Sequence, residues 1–296
     1  MKHAILIIAH SDIPHLKRLV GRFTDPSFYI FIHWDKKFEE SRPEPWQSNI
    51  QCLDSVYKVN WGSWGIVQAT WYLLQKALEH PDGIEYFHLI SGADELLRPQ
   101  KEFLDFFEGK NKSYLTVCPF KYREENPNWE IDEVMCHHDL CDIDLRCSDQ
   151  SVIDAYWDDI KRQCEEKTDF NPIPPYTRYC GQGWWSMYRD CSECVVEHLP
   201  ELEPFEKRTK LPDLKAVQTI LMNNGMTDKI DRDYLRYVHW DPKPDKTTWL
   251  KILDESDFEA AYNETLRNPR LFARKVDSEK SKRFFELIDK KFDWNS

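Results

Sequence analysis

Glycine is scarce in this chain, with only 9 residues among 296. The nine glycines spell neither the G-x-G-x-x-G pattern that binds dinucleotides nor the G-x-x-x-x-G-K-[ST] loop of ATPases and GTPases. The sequence therefore excludes the two common glycine-rich phosphate-binding motifs, and a phosphate ligand would have to be bound by other groups.

Positively charged residues are fewer than negatively charged ones. Lys and Arg number 40 against 52 Asp and Glu, which gives a net charge of −12. A nucleic-acid partner needs a dense basic face, so we expect none.

Long apolar runs are missing as well. The apolar run near the start, residues 4–9, is far shorter than the ~20 residues that span a bilayer. No charged and apolar leader with a cleavage site precedes it. We therefore expect a cytoplasmic protein, and peripheral contact with the inner face of a membrane is compatible with that expectation.

The nine cysteines are an odd number in a chain with no export signal, so reduced thiols are expected. Cys136, His137, His138, Cys141 and Cys147 crowd metal-ligand residue types together, but their spacing matches no standard zinc motif. Reduced cysteines and surface histidines are the favoured interpretation, and a zinc-dependent hydrolase is the weaker alternative.

Short β-branched runs alternate with helical patterns through the first third of the chain. Strands are predicted at 4–9, 28–33 and 86–90, and each ends in a polar cluster such as His10-Ser11-Asp12. This alternation predicts an α/β fold with a mostly parallel central sheet flanked by helices, whose ligands lie at the carboxyl ends of the strands.

The remainder falls into two parts. Residues 118–180, called the insertion below, are rich in cysteine, acids and proline, which indicates irregular structure. We expect one domain over 1–296, with a nucleotide-binding half at 1–117, this acceptor-side insertion, and an acceptor and diphosphate-binding half at 181–296.

The sequence also predicts helices and further strands along the chain. The predicted helices lie near 14–23, 67–80, 152–165, 190–199, 213–223, 256–266 and 278–291, and the further strands lie near 184–188 and 235–239.

Two Asp-x-Asp triplets, at 142–144 and 231–233, fit the metal signature of many glycosyltransferases. With 28 aspartates in the chain, composition alone gives roughly 2.6 such triplets. Neither triplet therefore supports a metal site.

An ordered set of motifs covers nearly the whole chain. The motifs are IFIHWDKK at 30–37, VNWGS at 59–63, YFHLISGAD at 86–94, GQGWWS at 181–186, Pro212-Asp213 and LFARK at 271–275. This set resembles the core 2 and I-branching N-acetylglucosaminyltransferases and the peptide O-xylosyltransferases, which form glycosyltransferase family 14. The resemblance is to a soluble, bacterial-type member, and it implies a GT-A-like fold, a UDP-sugar donor, inversion at the anomeric carbon and no divalent metal or other cofactor.

The resemblance also assigns residues to two sides of a site. Arg236 and Lys275 match the pair that binds the diphosphate in place of a metal, and the tryptophan faces would be available to stack on sugars. The expected donor-binding residues are Ala9, His10, Asp35, Trp61, Gly62, Arg236 and Lys275, and the expected acceptor-binding residues are Asp94, Glu95, Trp184 and Trp185.

The general base is the point at which the sequence departs from the family. The family has a Glu directly after Pro-Asp, and this chain has Leu214 there. Leucine cannot accept a proton, so Asp213 or a carboxylate from elsewhere, such as Glu95, would have to serve. A helix N-cap is the competing interpretation of Asp213.

These observations predict a metal-independent inverting glycosyltransferase that moves a GlcNAc or xylose-like sugar from a UDP-sugar to a hydroxyl of a glycan or lipid-linked acceptor. The alternative is a catalytically inactive sugar-nucleotide or glycan-binding member of the fold, because Leu214 replaces the expected base.

Overall fold

The computed structural model describes residues 1–120, 131–241, 250–292 and 294. Seven of the strands in these ranges form a central sheet, three form a second sheet and two form a separate pair. The strands are β1 His3–Ala9, β2 Phe28–Trp34, β3 Ile50–Leu53, β4 Tyr86–Ser91, β5 Asp94–Leu96, β6 Ser113–Tyr114, β7 Cys118–Pro119, β8 Tyr179–Cys180, β9 Ser186–Tyr188, β10 Ile230–Asp231, β11 Arg236–Val238 and β12 Phe272–Arg274.

The central sheet has the order β10-β6-β9-β4-β1-β2-β3. Strands β4, β1, β2 and β3 are mutually parallel, and β9 enters antiparallel between β4 and β6. The prediction of a mostly parallel α/β sheet is confirmed. Because parallel strands end at the same edge of a sheet, the polar residues that follow β1, β2 and β4 are brought together.

Helices cover both faces of this sheet, as the sequence predicts. Alternate residues of β1 go to opposite faces: Leu6 packs on one core cluster and Ile5 and Ile7 on the other. The cluster around Leu6 includes α2, α5 and α6, and the cluster around Ile5 includes α1 and α3. The helices are α1 Ile13–Val20, α2 Trp64–Leu78, α3 Gln100–Phe107, α4 Gln150–Glu166, α5 Arg189–Glu206, α6 Ala216–Asn223, α7 Phe258–Arg267 and α8 Lys282–Lys291.

The second sheet, β11-β12-β5, lies beyond the end of β4 and sets Arg274 directly opposite Asp94. It was not foreseen as a sheet, since β5 and β12 are three residues each and too short to show an alternating pattern. Strand β3 and helix α3 were also missed.

Most of the predicted helices differ by a few residues in their bounds: α1 ends at Val20 rather than at 23, and α8 begins at Lys282 rather than at 278. Helix α5 continues past 199 to Glu206 through Pro200 and Pro204, because Leu202 and Glu206 remain buried against its neighbours. The helix expected from 213 begins at Ala216, preceded by a 3-10 turn over Pro212–Leu214.

The described part of the insertion contains α4 and a single π-helical turn, Ile131–Met135, around a small apolar cluster of its own. Strands β7 and β8 pair at its two ends. Within the described ranges, no helix has both the length and the apolar composition needed to cross a membrane.

Candidate active site

The backbone at the carboxyl ends of β1 and β2 fixes the first part of the site. The carbonyl of Ala9 accepts a hydrogen bond from the Asp35 amide at 2.8 Å. Asp35 is almost fully buried, and its Oδ1 accepts from the amides of Lys37 (3.0 Å) and Val59 (3.2 Å). Asp35 therefore holds the loop 59–63 against the end of β2.

The other carboxylate oxygen of Asp35, Oδ2, lies near a lysine that also contacts the insertion. Lys37 Nζ lies 3.6 Å from Asp35 Oδ2 and also donates to Asp144. Asp144 in turn accepts from the Arg146 amide at 3.0 Å. One aspartate of the 142–144 triplet thus serves to bind an ammonium group, and Lys37 is the cation shared by two buried carboxylates.

Three cationic side chains, Arg146, Arg274 and Lys275, lie close enough for their charges to act on one another, and they are called the cationic cluster. Burial lowers the pKa of Lys275, and the positive charges of Arg274 and Arg146 lower it further. Desolvation, together with Lys275, Lys37 and Arg146, lowers the pKa of His10, which places that side chain beside the same charges. Like charges held at close range favour the binding of an anion among them.

Arg274 connects this cluster to two residues expected at the sugars. Its Nη1 donates to Asp94 Oδ2 at 3.0 Å and to Ser91 Oγ at 2.5 Å, and its guanidinium lies 4.4 Å from the ring centroid of Trp184. Asp94 Oδ2 also accepts from the Ser91 amide at 2.6 Å. Asp94 Oδ1 and Arg274 Nε are buried with no hydrogen-bond partner in the described part of the chain. Both atoms could bond to a ligand.

Glu95 lies elsewhere, which corrects the expectation that it could contact the acceptor or act as base. Its carboxylate is fully buried and pairs with Arg18 Nε at 2.7 Å and Arg22 Nε at 3.6 Å. Successive residues of a strand point to opposite faces, so Asp94 and Glu95 cannot both reach the site.

The two neighbouring tryptophans differ in exposure. Trp184 is half-buried beside Arg274, whereas Trp185 is 1% exposed in the core cluster that contains α2 and α5. The ring of Trp185 therefore presents no face to a sugar, contrary to the expectation from the sequence.

Arg236 is placed differently from the sequence expectation too. It is 2% exposed, and its Nη2 donates to the carbonyls of Trp185 (2.7 Å) and Leu89 (3.1 Å), while its Nη1 donates to the carbonyl of Tyr234 (3.0 Å). Burial lowers its pKa to about 10. In this arrangement Arg236 joins β4 to the residues just before β9 and β11, and Arg274 is the arginine beside Lys275.

Asp213 has the features of a proton acceptor. Burial raises its pKa to about 6, against the opposing charges of Lys215 and Arg274. Among the described residues its Oδ1 is buried without a partner, and an added Cβ on Gly183 would lie 3.1 Å from its Oδ2. A carboxylate with a pKa near neutrality and an oxygen without a hydrogen-bond partner is suited to general-base catalysis.

The turn that carries Asp213 is anchored by neighbours that the sequence did not reveal. Lys215 is 1% exposed and pairs with Glu133 of the insertion, Nζ to Oε1, at 3.2 Å. The Leu214 carbonyl accepts from the Gly181 amide at 2.9 Å. Asp213 is therefore held by both the sheet side and the insertion.

The loop that contains Trp61 and Gly62 connects these parts. Arg146 lies 5.6 Å from the ring centroid of Trp61. Gly62 has φ +73°, a conformation that glycine adopts without strain, and its carbonyl accepts from the amide of Leu211 at 3.0 Å. The loop thus joins Asp35 to the turn before Asp213.

The positions of the proposed zinc ligands do not support the zinc alternative. Cys136 Sγ faces Cys164 Sγ at 3.4 Å, and His138 Nδ1 faces the Tyr156 hydroxyl at 2.5 Å. Across the ranges that the structure describes, no three His, Cys, Asp or Glu side chains come together as a metal site.

Among the cationic residues, sequence reasoning missed Lys37, Arg146 and Arg274. Lys37 and Arg274 stand within quoted motifs, next to Asp35 and Lys275 respectively, so their position was a usable signal. Arg146 has no such signal, since it reaches the site through the path of the insertion.

The family model of the Core-2/I-Branching enzymes matches residues 4–261, which include most of the residues described above. No curated protein matches the chain. The match covers most of the chain, so the protein belongs to the Core-2/I-Branching enzyme family, whose members are glycosyltransferases. The α/β architecture agrees with the GT-A-like fold of that family.

Proposed function

We propose that the protein is a metal-independent, inverting glycosyltransferase that moves a GlcNAc or xylose-like sugar from a UDP-sugar to a hydroxyl of a glycan or lipid-linked acceptor. The observation that carries this proposal is the position of Arg274. The charge of Arg274 acts to lower the pKa of Lys275, of Arg146 and of Asp213. The proposed diphosphate site and the proposed proton acceptor would therefore share the influence of one guanidinium.

The cationic cluster supplies the electrostatic part of the reaction. As the bond between the anomeric carbon and the diphosphate oxygen breaks, negative charge grows on UDP. Arg146, Arg274 and Lys275 would stabilise that charge without a divalent ion, since arginine binds phosphate through two N–H groups and lysine as a point charge. The Lys37 ammonium, between Asp35 and Asp144, already neutralises carboxylates that a metal could otherwise use.

Asp213 supplies the proton transfer. Its carboxylate would accept the proton of the acceptor hydroxyl, whose oxygen forms the new bond to the anomeric carbon on the face opposite UDP. The electron pair of the broken bond leaves with UDP. Family resemblance suggests a base at the Pro-Asp turn, and the unpartnered Oδ1 among the described residues and the pKa of about 6 support Asp213 itself.

The sugars would lie between these groups, beside Asp94 and Trp184. The buried Oδ1 of Asp94, which has no partner among the described residues, would accept a hydrogen bond from a sugar hydroxyl, and the half-buried Trp184 would border the same sugar. We place the protein in the cytoplasm, with peripheral contact with the inner membrane face if the acceptor is lipid-linked. We also retain the division into 1–117, the insertion and 181–296.

The test is release of UDP from a panel of UDP-sugars in EDTA, with and without mixed glycan acceptors, alongside calorimetric binding of UDP. We expect acceptor-stimulated release that EDTA does not lower. Loss of turnover in EDTA with recovery on adding Mn²⁺ would contradict the metal-free mechanism.

Leu214 favours a second candidate, a sugar-nucleotide or glycan-binding protein without turnover. This candidate predicts UDP binding with no release under any acceptor, and L214E would then be the variant that creates activity. Acceptor-dependent turnover by the unaltered protein would eliminate it.

A further inference from the structure

Two cysteines stand opposite each other at the ends of the insertion. Cys118 of β7 pairs with Cys180 of β8 in the antiparallel register, and their Sγ atoms are 3.4 Å apart. Cys118 is exposed and Cys180 is half-buried, so a small oxidant can reach the pair.

The pair adjoins the segment that leads into the candidate active site. The residue after Cys180 is Gly181, whose amide donates to the Leu214 carbonyl, and the amide of Gln182 donates to Thr116 Oγ1 at 2.7 Å. A bond between the two sulfurs would close the base of the insertion beside the Asp213 turn.

We propose that Cys118 and Cys180 form a reversible disulfide by exchange with a small-molecule disulfide such as oxidised glutathione. In the first step the Cys118 thiolate attacks one glutathione sulfur, forms a mixed disulfide and releases one glutathione thiolate. In the second step the Cys180 sulfur, losing its proton to solvent, displaces the second glutathione. Two cysteine thiols are oxidised and one glutathione disulfide is reduced to two thiols.

The two thiols have different parts in this exchange. Burial and the neighbouring Cys118 thiol raise the pKa of Cys180 to about 12. The thiolate is the attacking species, so Cys118, which is also the more exposed, reacts first and Cys180 resolves the mixed disulfide.

A second pair provides an internal comparison. Cys136 and Cys164 also have Sγ atoms 3.4 Å apart, but Cys136 is 0% exposed. Access to the sulfur limits exchange, so we expect the pair at 118 and 180 to oxidise first. Since a disulfide between distant residues restricts the unfolded chain, oxidation should raise the unfolding temperature by several degrees.

The test uses the full chain, reduced, desalted and exposed to oxidised glutathione, then analysed by intact mass and by peptide mapping after alkylation. We expect the loss of two hydrogens and a linked peptide that contains Cys118 and Cys180. C180S should retain a glutathione adduct on Cys118. C118S cannot form the link, and its Cys180 should acquire a glutathione adduct more slowly than Cys118 does in C180S. C147S, which removes another exposed thiol, is the matched control and should form the link normally.

Two results would overturn the proposal. One is recovery of Cys118 and Cys180 in the alkylated, reduced form after exposure. The other is a glutathione adduct that persists on Cys118 in the unaltered protein, since a nearby Cys180 would have displaced it. Because each readout is a mass or a melting temperature, the outcome is independent of the proposed glycosyltransferase function.

Discussion

The strand ends of the central sheet and the insertion build the candidate site in different ways. Asp35 follows a buried parallel strand, and its place at the sheet edge results from the geometry of all parallel sheets. Arg146 and Glu133 belong to the insertion, and they reach the site only because Asp144 binds Lys37 and Lys215 binds Glu133. The sheet thus provides positions that a pattern can predict, whereas the insertion provides charges that depend on individual tertiary contacts.

The largest expected effect is at Asp213, which both regions hold in place. D213N should lower turnover by about 10²-fold to 10⁴-fold because the amide cannot accept the acceptor proton. In the unaltered protein the rate should fall as the pH drops through about 6, where the carboxylate becomes protonated. A pH profile of initial rates for both proteins is the measurement, and UDP affinity should be unchanged. An unchanged rate in D213N would remove this residue from the mechanism.

The free energy of unfolding provides a second measurement of the state of Asp213. Its folded-state pKa is raised from 3.8 to about 6, so the folded protein loses stability as the pH rises across that interval. D213N removes the desolvated charge and should raise the free energy of unfolding at pH 7 by up to about 3 kcal/mol, measured by denaturant titration. A destabilised D213N would instead indicate that the carboxylate is needed for packing.

Lys275 tests the sheet side of the cationic cluster. K275A should weaken UDP binding by roughly 10-fold to 100-fold, since it removes one charge-assisted contact to the diphosphate. Calorimetric titration with UDP is the measurement, and uridine, which lacks the phosphates, should bind K275A and the unaltered protein equally. Equal loss for UDP and uridine would point to a distorted site rather than a lost phosphate contact.

Arg146 tests the contribution of the insertion. R146A should weaken UDP binding by about 10-fold or less. We expect a smaller effect than for K275A because Arg146 is held in place by contacts of the insertion and not by the central sheet. R162A is the matched control, as Arg162 is an exposed arginine of the same insertion that pairs with Asp159 and Glu166. If R146A affects affinity no more than R162A, the insertion does not contribute to the diphosphate site.

The smallest effect is expected where the insertion is joined to the sheet. D144N should weaken UDP binding by a few-fold and cost about 1 kcal/mol of stability, since it removes one carboxylate from the Lys37 ammonium. D142N in the same triplet is the control and should leave both quantities unchanged. Restoration of D144N activity by added Mn²⁺ would contradict the role assigned to Lys37.

The sequence predicted the secondary-structure elements better than it predicted the direction of individual side chains. Buried strands, the long helices and the gathering of polar residues at one sheet edge follow from apolar patterns of sufficient length. Strand β12 and the short second sheet do not, because three residues carry no pattern. Asp94 pairs with Arg274, whose charge also acts on Lys275. Glu95, Trp185 and Arg236 face buried partners instead.

What the sequence by itself determined is the family, the α/β class and the polar residues at the ends of the parallel strands, because these depend on hydrophobic periodicity and on motifs read along the chain. Only the tertiary structure decided which of two adjacent residues pairs with Arg274 at the candidate site, Asp94 rather than Glu95. The physical reason is that neighbours in an extended chain point to opposite sides, and which side is the core depends on packing from distant parts of the chain.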